Sequence, residues 1–250
     1  RDPLWSRGLG DVYKRQAYRG HKVETLADKA SFEEVAYLLL YNKLPNKSEL
    51  SEYKALLKSQ RDLPQALKEV LQKIPASAHP MDVMRTGTSM LGNLEPEGDF
   101  SNQLNSINRM IATMASIVTY WYKYSHEGED ISLINDEDSM AGHFLHILHG
   151  KTPSDLHRKV MDVSLVLYAE HEFNASTFTG RVCASTMSDI HSCVVAAIGS
   201  LRGPLHGGAN EKAMELIENW TSREEAKENI LTMLANKEKI MGFGHAVYSI

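Results

Sequence analysis

Residues 101–124, SNQLNSINRMIATMASIVTYWYKY, hold the most regular apolar pattern in the sequence. Apolar side chains recur there at intervals of three and four residues over about four helical turns. They are Ile107, Met110, Ile111, Met114, Ile117, Val118 and Trp121. A stripe of this period inside a polar frame is typical of a helix that buries one face. The sequence therefore predicts a helix over residues 101–124.

The same period continues on both sides of this stretch. Ser31 with Glu34, and Ser222 with Glu225, have the spacing of capping boxes, and they predict helices over residues 31–42 and 222–236. Further helices are predicted over residues 50–57, 67–74, 137–149, 154–171, 183–200 and 210–219. Alternating runs of β-branched and aromatic residues are few. The sequence therefore predicts an all-α protein.

The composition indicates a folded, water-soluble chain. The 250 residues are 42% hydrophobic and 24% charged, and no stretch approaches the roughly 18 apolar residues that a membrane span needs. A net charge of -5 gives no overall attraction to nucleic acid or to an anionic membrane. Two cysteines, Cys183 and Cys193, are too few for a disulfide framework, so we expect buried apolar thiols. These features predict a cytoplasmic protein with neither nucleic-acid nor membrane partners.

Three segments are expected along the chain. Residues 1–16, RDPLWSRGLGDVYKRQ, carry no helical face, which predicts a non-native or disordered segment. Residues 17–205 are expected to form a large helical domain. The run RGPLHGGAN at 202–210 interrupts the helices with three glycines and a proline, so the backbone there has special geometry or approaches another group closely. A smaller domain is expected to start at 206–250 and to be incomplete.

Two histidines lie in short glycine-rich runs, a setting that suits catalysis. His206 lies in PLHGGAN and His245 lies in GFGHAV. A histidine held at a helix entrance can donate one ring N–H to a substrate carbonyl, and the helix dipole favours its neutral form. The alternative for His206 is a residue that only caps the following helix.

Other polar motifs leave two interpretations open. His171, in YAEHEFNASTF, suits either a substrate carboxylate or keto group or a hydrogen-bonded core position. His143, His146 and His149 recur every third residue, but they spread over about 120° of a helix, so a structural role is favoured over a metal site. The cluster of His79, Asp82 and Arg85 is interpreted as a self-satisfied polar group at a helix start.

Four motifs together resemble one family. HPMDVMRTG at 79–87, AEHEFNASTF at 169–178, LRGPLHGGANE at 201–211 and KIMGFGHAVY at 239–248 follow the order and spacing of the citrate synthases. Connecting segments such as YWYKYSHEGE and GHFLHILHGKTPS are more similar to the bacterial 2-methylcitrate synthases of propionate metabolism. The resemblance covers residues 18–250 and is absent from residues 1–16.

The resemblance implies an all-helical homodimer whose small domain closes over the substrates. Its reaction condenses propionyl-CoA with oxaloacetate and hydrolyses the thioester, without a permanently bound cofactor or a metal. His206 would then polarise the thioester carbonyl, and His245 would protonate the oxaloacetate carbonyl. His171, Asn174 and Lys47 would belong to the substrate site. The segment implied to contact CoA comprises Lys239, Ile240, Met241, Gly242 and Phe243.

The sequence departs from the family pattern in ways that keep alternatives open. The family's catalytic aspartate and its carboxylate-binding arginines lie beyond residue 250, so the chain is expected to be an N-terminal portion without activity of its own. Ala246 stands where many citrate synthases carry arginine, which favours the methylcitrate branch. The alternatives are a citrate synthase that uses acetyl-CoA and a non-catalytic helical fragment that dimerises or binds CoA.

Overall fold

A computed structural model describes residues 16–243 of the protein, and most of these residues are helical. Residues Ala17–Tyr18 (β1) and His21–Lys22 (β2) form a short antiparallel hairpin. The helices are α1 (Val23–Lys29), α2 (Phe32–Tyr41), α3 (Lys47–Ser59), α4 (Gln65–Gln72), α5 (Pro80–Leu94), α6 (Gln103–Tyr122), α7 (Met140–His149), α8 (Asp155–Tyr168), α9 (Ala175–Ser185), α10 (Ile190–Leu201), α11 (Gly208–Glu218) and α12 (Arg223–Ala235). The all-α prediction is confirmed.

The predicted helix over residues 101–124 is α6, and it forms the centre of the largest core cluster. Ile117, Tyr120 and Trp121 are completely or almost completely buried. They pack with apolar residues of α4, α5 and α7. Gly87 of α5 permits the close crossing, because an added Cβ would lie 2.4 Å from Cγ2 of Ile117. The apolar stripe thus decides where the neighbouring helices pack.

Helix starts follow the predicted capping residues. Ser31 and Glu34 form the predicted reciprocal capping box of α2. Ser222 caps α12 by accepting the N–H of Glu225, whose own carboxylate accepts from the N–H of Thr221 instead of returning to Ser222. The second capping box is therefore only half formed. None of the described helices is long and apolar enough to cross a membrane.

The prediction of one helix over 183–200 was wrong, because two helices, α9 and α10, occupy this region. Met187 between them has a φ of 63°, a left-handed conformation that interrupts a right-handed helix. Asp189 then caps α10 by accepting the N–H of Ser192 at 3.0 Å. Helix α1 was not predicted, and α5 was recognised only at its start.

The two cysteines carry free thiols and differ in burial. Cys193 on α10 is buried, as predicted, whereas Cys183 on α9 is half-buried. Burial is the main reason that the pKa of the Cys193 thiol rises to about 11. At neutral pH this thiol stays protonated, and it behaves as a small apolar side chain.

Candidate active site

The imidazole of His206 lies against the first turn of α9. Its Nε2 accepts the backbone N–H of Ser176 at 3.2 Å and lies 2.9 Å from the hydroxyl oxygen of the same residue. A backbone N–H cannot rotate away, so Nε2 must be the unprotonated nitrogen of the ring. Nδ1 therefore carries the hydrogen in the neutral form. No described polar atom accepts that hydrogen, which leaves it available to a substrate oxygen.

The surroundings of His206 favour its neutral form. Burial lowers the pKa of His206, and the positive charge of protonated His171 lowers it further. The N-terminus of α9 carries partial positive charge, which also disfavours an imidazolium. At neutral pH the ring is thus a hydrogen-bond donor without a full charge. The helix N-terminus beside it is that of α9, whereas the sequence pointed to the helix that follows His206.

Two glycines let the chain pass His206 in close contact with the end of α10. A Cβ on Gly207 would lie 2.6 Å from the carbonyl oxygen of Leu201, and a Cβ on Gly208 would lie 2.9 Å from that of Arg202. The φ of Gly207 is -61°, so glycine is needed here for space and not for a left-handed conformation. Of the two interpretations of the Gly-rich run, close approach is confirmed at these positions.

His171 and Asn174 form the turn between α8 and α9, next to the His206 contact. His171 is exposed, and its Nδ1 accepts from Nε2 of Gln16 at 3.1 Å. Asn174 is the N-cap of α9, where its Oδ1 accepts the N–H of Thr177 at 3.0 Å. The same oxygen accepts the hydroxyl of Ser176 at 2.7 Å. Asn174 therefore orients Ser176, and its predicted contact with a substrate stays a prediction.

The other residues predicted for the site are the CoA-contacting segment, Lys47 and His245. The segment Lys239–Phe243 follows α12, and Gly242 has a φ of 91° and packs near Ala213 of α11. The segment thus approaches the helix that follows His206. Lys47 is exposed at the first residue of α3, and no described hydrogen bond or ion pair joins it to His206. His245 lies outside the described residues.

The three histidines of α7 do not form one polar face. His143 is completely buried, His146 is half-buried and His149 is exposed. Both ring nitrogens of His143 are used within the core, at 3.2 Å from Oγ of Ser116 and 2.9 Å from Nδ2 of Asn135. Within residues 16–243, no group of three His, Cys, Asp or Glu side chains converges as metal ligands would.

Ser176, which holds His206, was not among the predicted site residues. A signal was present, because Asn174 followed by Thr177 has the spacing of an N-cap and the third helical residue, and it would have predicted α9. The pairing with His206 spans 30 residues and could not be predicted from local pattern.

A known family profile matches this chain almost throughout. The profile of the citrate synthase C-terminal domain matches residues 9–250. The chain belongs to the citrate synthase family. The match begins nine residues before the motif resemblance, which started at residue 18.

Individual relatives within the family differ in similarity. A 2-methylcitrate synthase of Shewanella oneidensis is 64% identical over 92% of this chain and 62% of its own length. A citrate synthase of Deinococcus radiodurans is 40% identical over 92% of this chain and 61% of its own length. The chain thus spans about three fifths of the length of these relatives.

Solved structures of the family share this fold. Citrate synthase of Thermotoga maritima matches with a TM-score of 0.81 and 37% identity, over 94% of this chain and 62% of its own. Citrate synthase of Thermoplasma acidophilum, in a ternary complex with carboxymethyl coenzyme A and oxaloacetate, matches with a TM-score of 0.86 and 29% identity over the same shares. The citrate-synthase-like helical fold is therefore shown for the described residues.

Proposed function

We propose that the full-length protein is a 2-methylcitrate synthase. It would join propionyl-CoA to oxaloacetate and then use water to hydrolyse the thioester, releasing 2-methylcitrate and CoA. The observation that carries this proposal is the 64% identity to the Shewanella enzyme, compared with 40% to the Deinococcus citrate synthase. The substrate pair is supported by the Thermoplasma relative, whose structure holds oxaloacetate and a CoA derivative.

The geometry of His206 supports its proposed role. Removal of the α-proton from an acyl-CoA places negative charge on the thioester oxygen, which needs an oriented donor. The Nδ1–H of neutral His206 would donate to that oxygen, while Ser176 holds the other ring nitrogen. His245 would protonate the oxaloacetate carbonyl as the new bond forms. His171, with Asn174 and Lys47, would bind oxaloacetate, and Lys239–Phe243 would contact CoA.

We also propose the domain division and the assembly that the family resemblance implied. Residues 17–205 would form the large domain, and residues 206–250 would begin the small one. Helices α11 and α12 contain no buried residue, and among the α-helices before them this is true only of α9, which supports a boundary before α11. The protein would act as a homodimer in the cytoplasm.

The acyl-chain preference tests the proposed reaction. One methylene in an apolar pocket is worth about 1 to 3 kcal/mol, so kcat/KM of the full-length protein should favour propionyl-CoA over acetyl-CoA about tenfold or more. The measurement is the release of free thiol at saturating oxaloacetate. A preference for acetyl-CoA would assign the protein to the citrate synthases proper.

A second test concerns the location of the catalytic base. The family's base is an aspartate, and within the described residues no carboxylate forms a hydrogen bond or ion pair with His206. We therefore expect residues 1–250, purified alone, to release no CoA from propionyl-CoA and oxaloacetate above the uncatalysed rate. Turnover that disappears on Asp82→Asn, Glu170→Gln or Glu172→Gln would place the base within this chain and contradict the proposal.

A further inference from the structure

The segment that carries His206 is tied at both ends to the first turn of α5. We call residues 202–211, RGPLHGGANE, the strap. At its start, Nε of Arg202 donates to Oδ2 of Asp82 at 3.1 Å. At its end, Oε2 of Glu211 lies 2.9 Å from Nε2 of His79. The two ties join residues 120 and 132 positions apart, and His206 lies between them.

His79 has a hydrogen-bonding pattern that only its neutral form completes. It is the N-cap of α5, and its Nδ1 accepts the N–H of Met81 at 3.1 Å. Nε2 must then carry the ring hydrogen, which it donates to Glu211. This hydrogen bond is the main reason that the pKa of Glu211 is lowered, so Glu211 is charged at neutral pH. One neutral imidazole thus caps α5 and holds the end of the strap.

The two contacts with α5 contribute little to the stability of the whole fold, but they restrict the position of the strap. The side chains of Arg202 and Asp82 are 42% and 32% exposed, and exposed ion pairs contribute little to global stability. The strap, however, runs close to the end of α10, because a Cβ added to Gly207 or Gly208 would lie 2.6 or 2.9 Å from a carbonyl oxygen there. Nδ2 of Asn210 also donates to the hydroxyl of Tyr168 at 2.6 Å, so the two contacts with α5 act together with this third one. Loss of the contacts with α5 would give the strap, and His206 with it, more freedom to move away from α10.

We propose that His79 and Asp82 are positioning residues that hold the strap, and through it the imidazole of His206, against Ser176. This inference rests on the proposed function for its catalytic consequence. Its structural consequence, the contact between His206 and Ser176, does not depend on which reaction the protein performs. A small displacement of a reacting group is enough to lower a rate substantially, even when binding is preserved.

The test uses two variants of the full-length protein that release the strap but spare α5. His79→Asn keeps a capping oxygen and is too short to reach Glu211. Asp82→Asn removes the charge that binds Arg202. We expect each variant to lower kcat about threefold, and the double variant about tenfold, with the KM for oxaloacetate unchanged. Amide hydrogen exchange of the peptide that contains Ser176 should become faster, while the melting temperature stays within about 4 °C.

The matched control is Arg85→Gln, which breaks the 3.0 Å pair between Arg85 and Asp82 within α5 and leaves both ties intact. The amide exchange of its Ser176 peptide and its kcat should equal those of the wild type. His79→Gln, which can still reach Glu211, should recover part of the lost rate. If the Ser176 peptide exchanges equally in His79→Asn and in the control, the positioning role is wrong. If the wild type shows no synthase activity but exchange responds as expected, the proposed function fails and the strap contact stands.

Discussion

Replacing His206 with alanine in the full-length protein is expected to lower kcat by about 100-fold or more. The substitution removes the Nδ1–H that is proposed to donate to the thioester oxygen, while Ser176 holds the other ring nitrogen. Because this interaction strengthens as charge develops on that oxygen, the loss should appear in kcat more than in the KM for propionyl-CoA. The measurement is steady-state thiol release, with circular dichroism to show that the helices remain.

Two further variants separate the role of His206 from general damage. Ser176→Ala keeps the backbone N–H that holds Nε2 and removes only the hydroxyl, so its effect should be about tenfold or smaller. His126→Ala removes an exposed histidine that lies 80 positions before His206 and should leave kcat unchanged. Turnover at the wild-type rate in His206→Ala would show that another group meets the thioester oxygen.

Most helices were predicted correctly, because the residues that cap a helix and set its buried face lie close together in the sequence. The stripe around Ile117 sets the buried face of α6, and Ser31 with Glu34 sets the start of α2. The pattern failed at residues 183–200, where apolar and small residues continue across a break. That break depends on one left-handed residue, Met187, and no proline or glycine lies within residues 185–190 to mark it. One left-handed residue thus divides a stretch that its residue pattern predicted to be a single helix.

The candidate site was predictable in its residues but not in its contacts. Glycines around His206 indicated a close backbone approach, and the structure places that approach at the end of α10. The partners of His206 and of the strap come from α9 and α5, which are far away in sequence. Such pairings follow from the packing of helices, so no window of neighbouring residues contains them. Family resemblance assigned a role to His206, whereas the structure shows what holds its ring.

His143 is expected to make the protein less stable as the pH falls from neutral. Burial, followed by the positive charges of Arg61 and His146, lowers the pKa of His143 to about 3, compared with 6.5 for an ordinary histidine. The hydrogen bonds of His143 also favour its neutral form. Asn135 uses its oxygen to accept the N–H of Glu137, so its NH₂ group faces Nδ1 of His143 and leaves no acceptor for a second ring proton.

The sign and size of this effect follow from proton binding. Between pH 6.5 and about 3 the unfolded chain binds a proton at His143 and the folded chain does not. The contribution of His143 to stability is therefore complete above pH 6.5 and is lost at about 1.4 kcal/mol per pH unit below it, or about 2 kcal/mol by pH 5.

Urea unfolding of the wild type and of His143→Gln, measured from pH 7.5 to pH 5, isolates this contribution. The variant should be less stable at pH 7.5, and the gap should narrow steadily as the pH falls, because glutamine has no proton to bind. His149→Gln, an exposed change on the same helix, should follow the wild type throughout. A gap between wild type and His143→Gln that stays constant with pH would mean that His143 takes up its proton equally well in the folded protein.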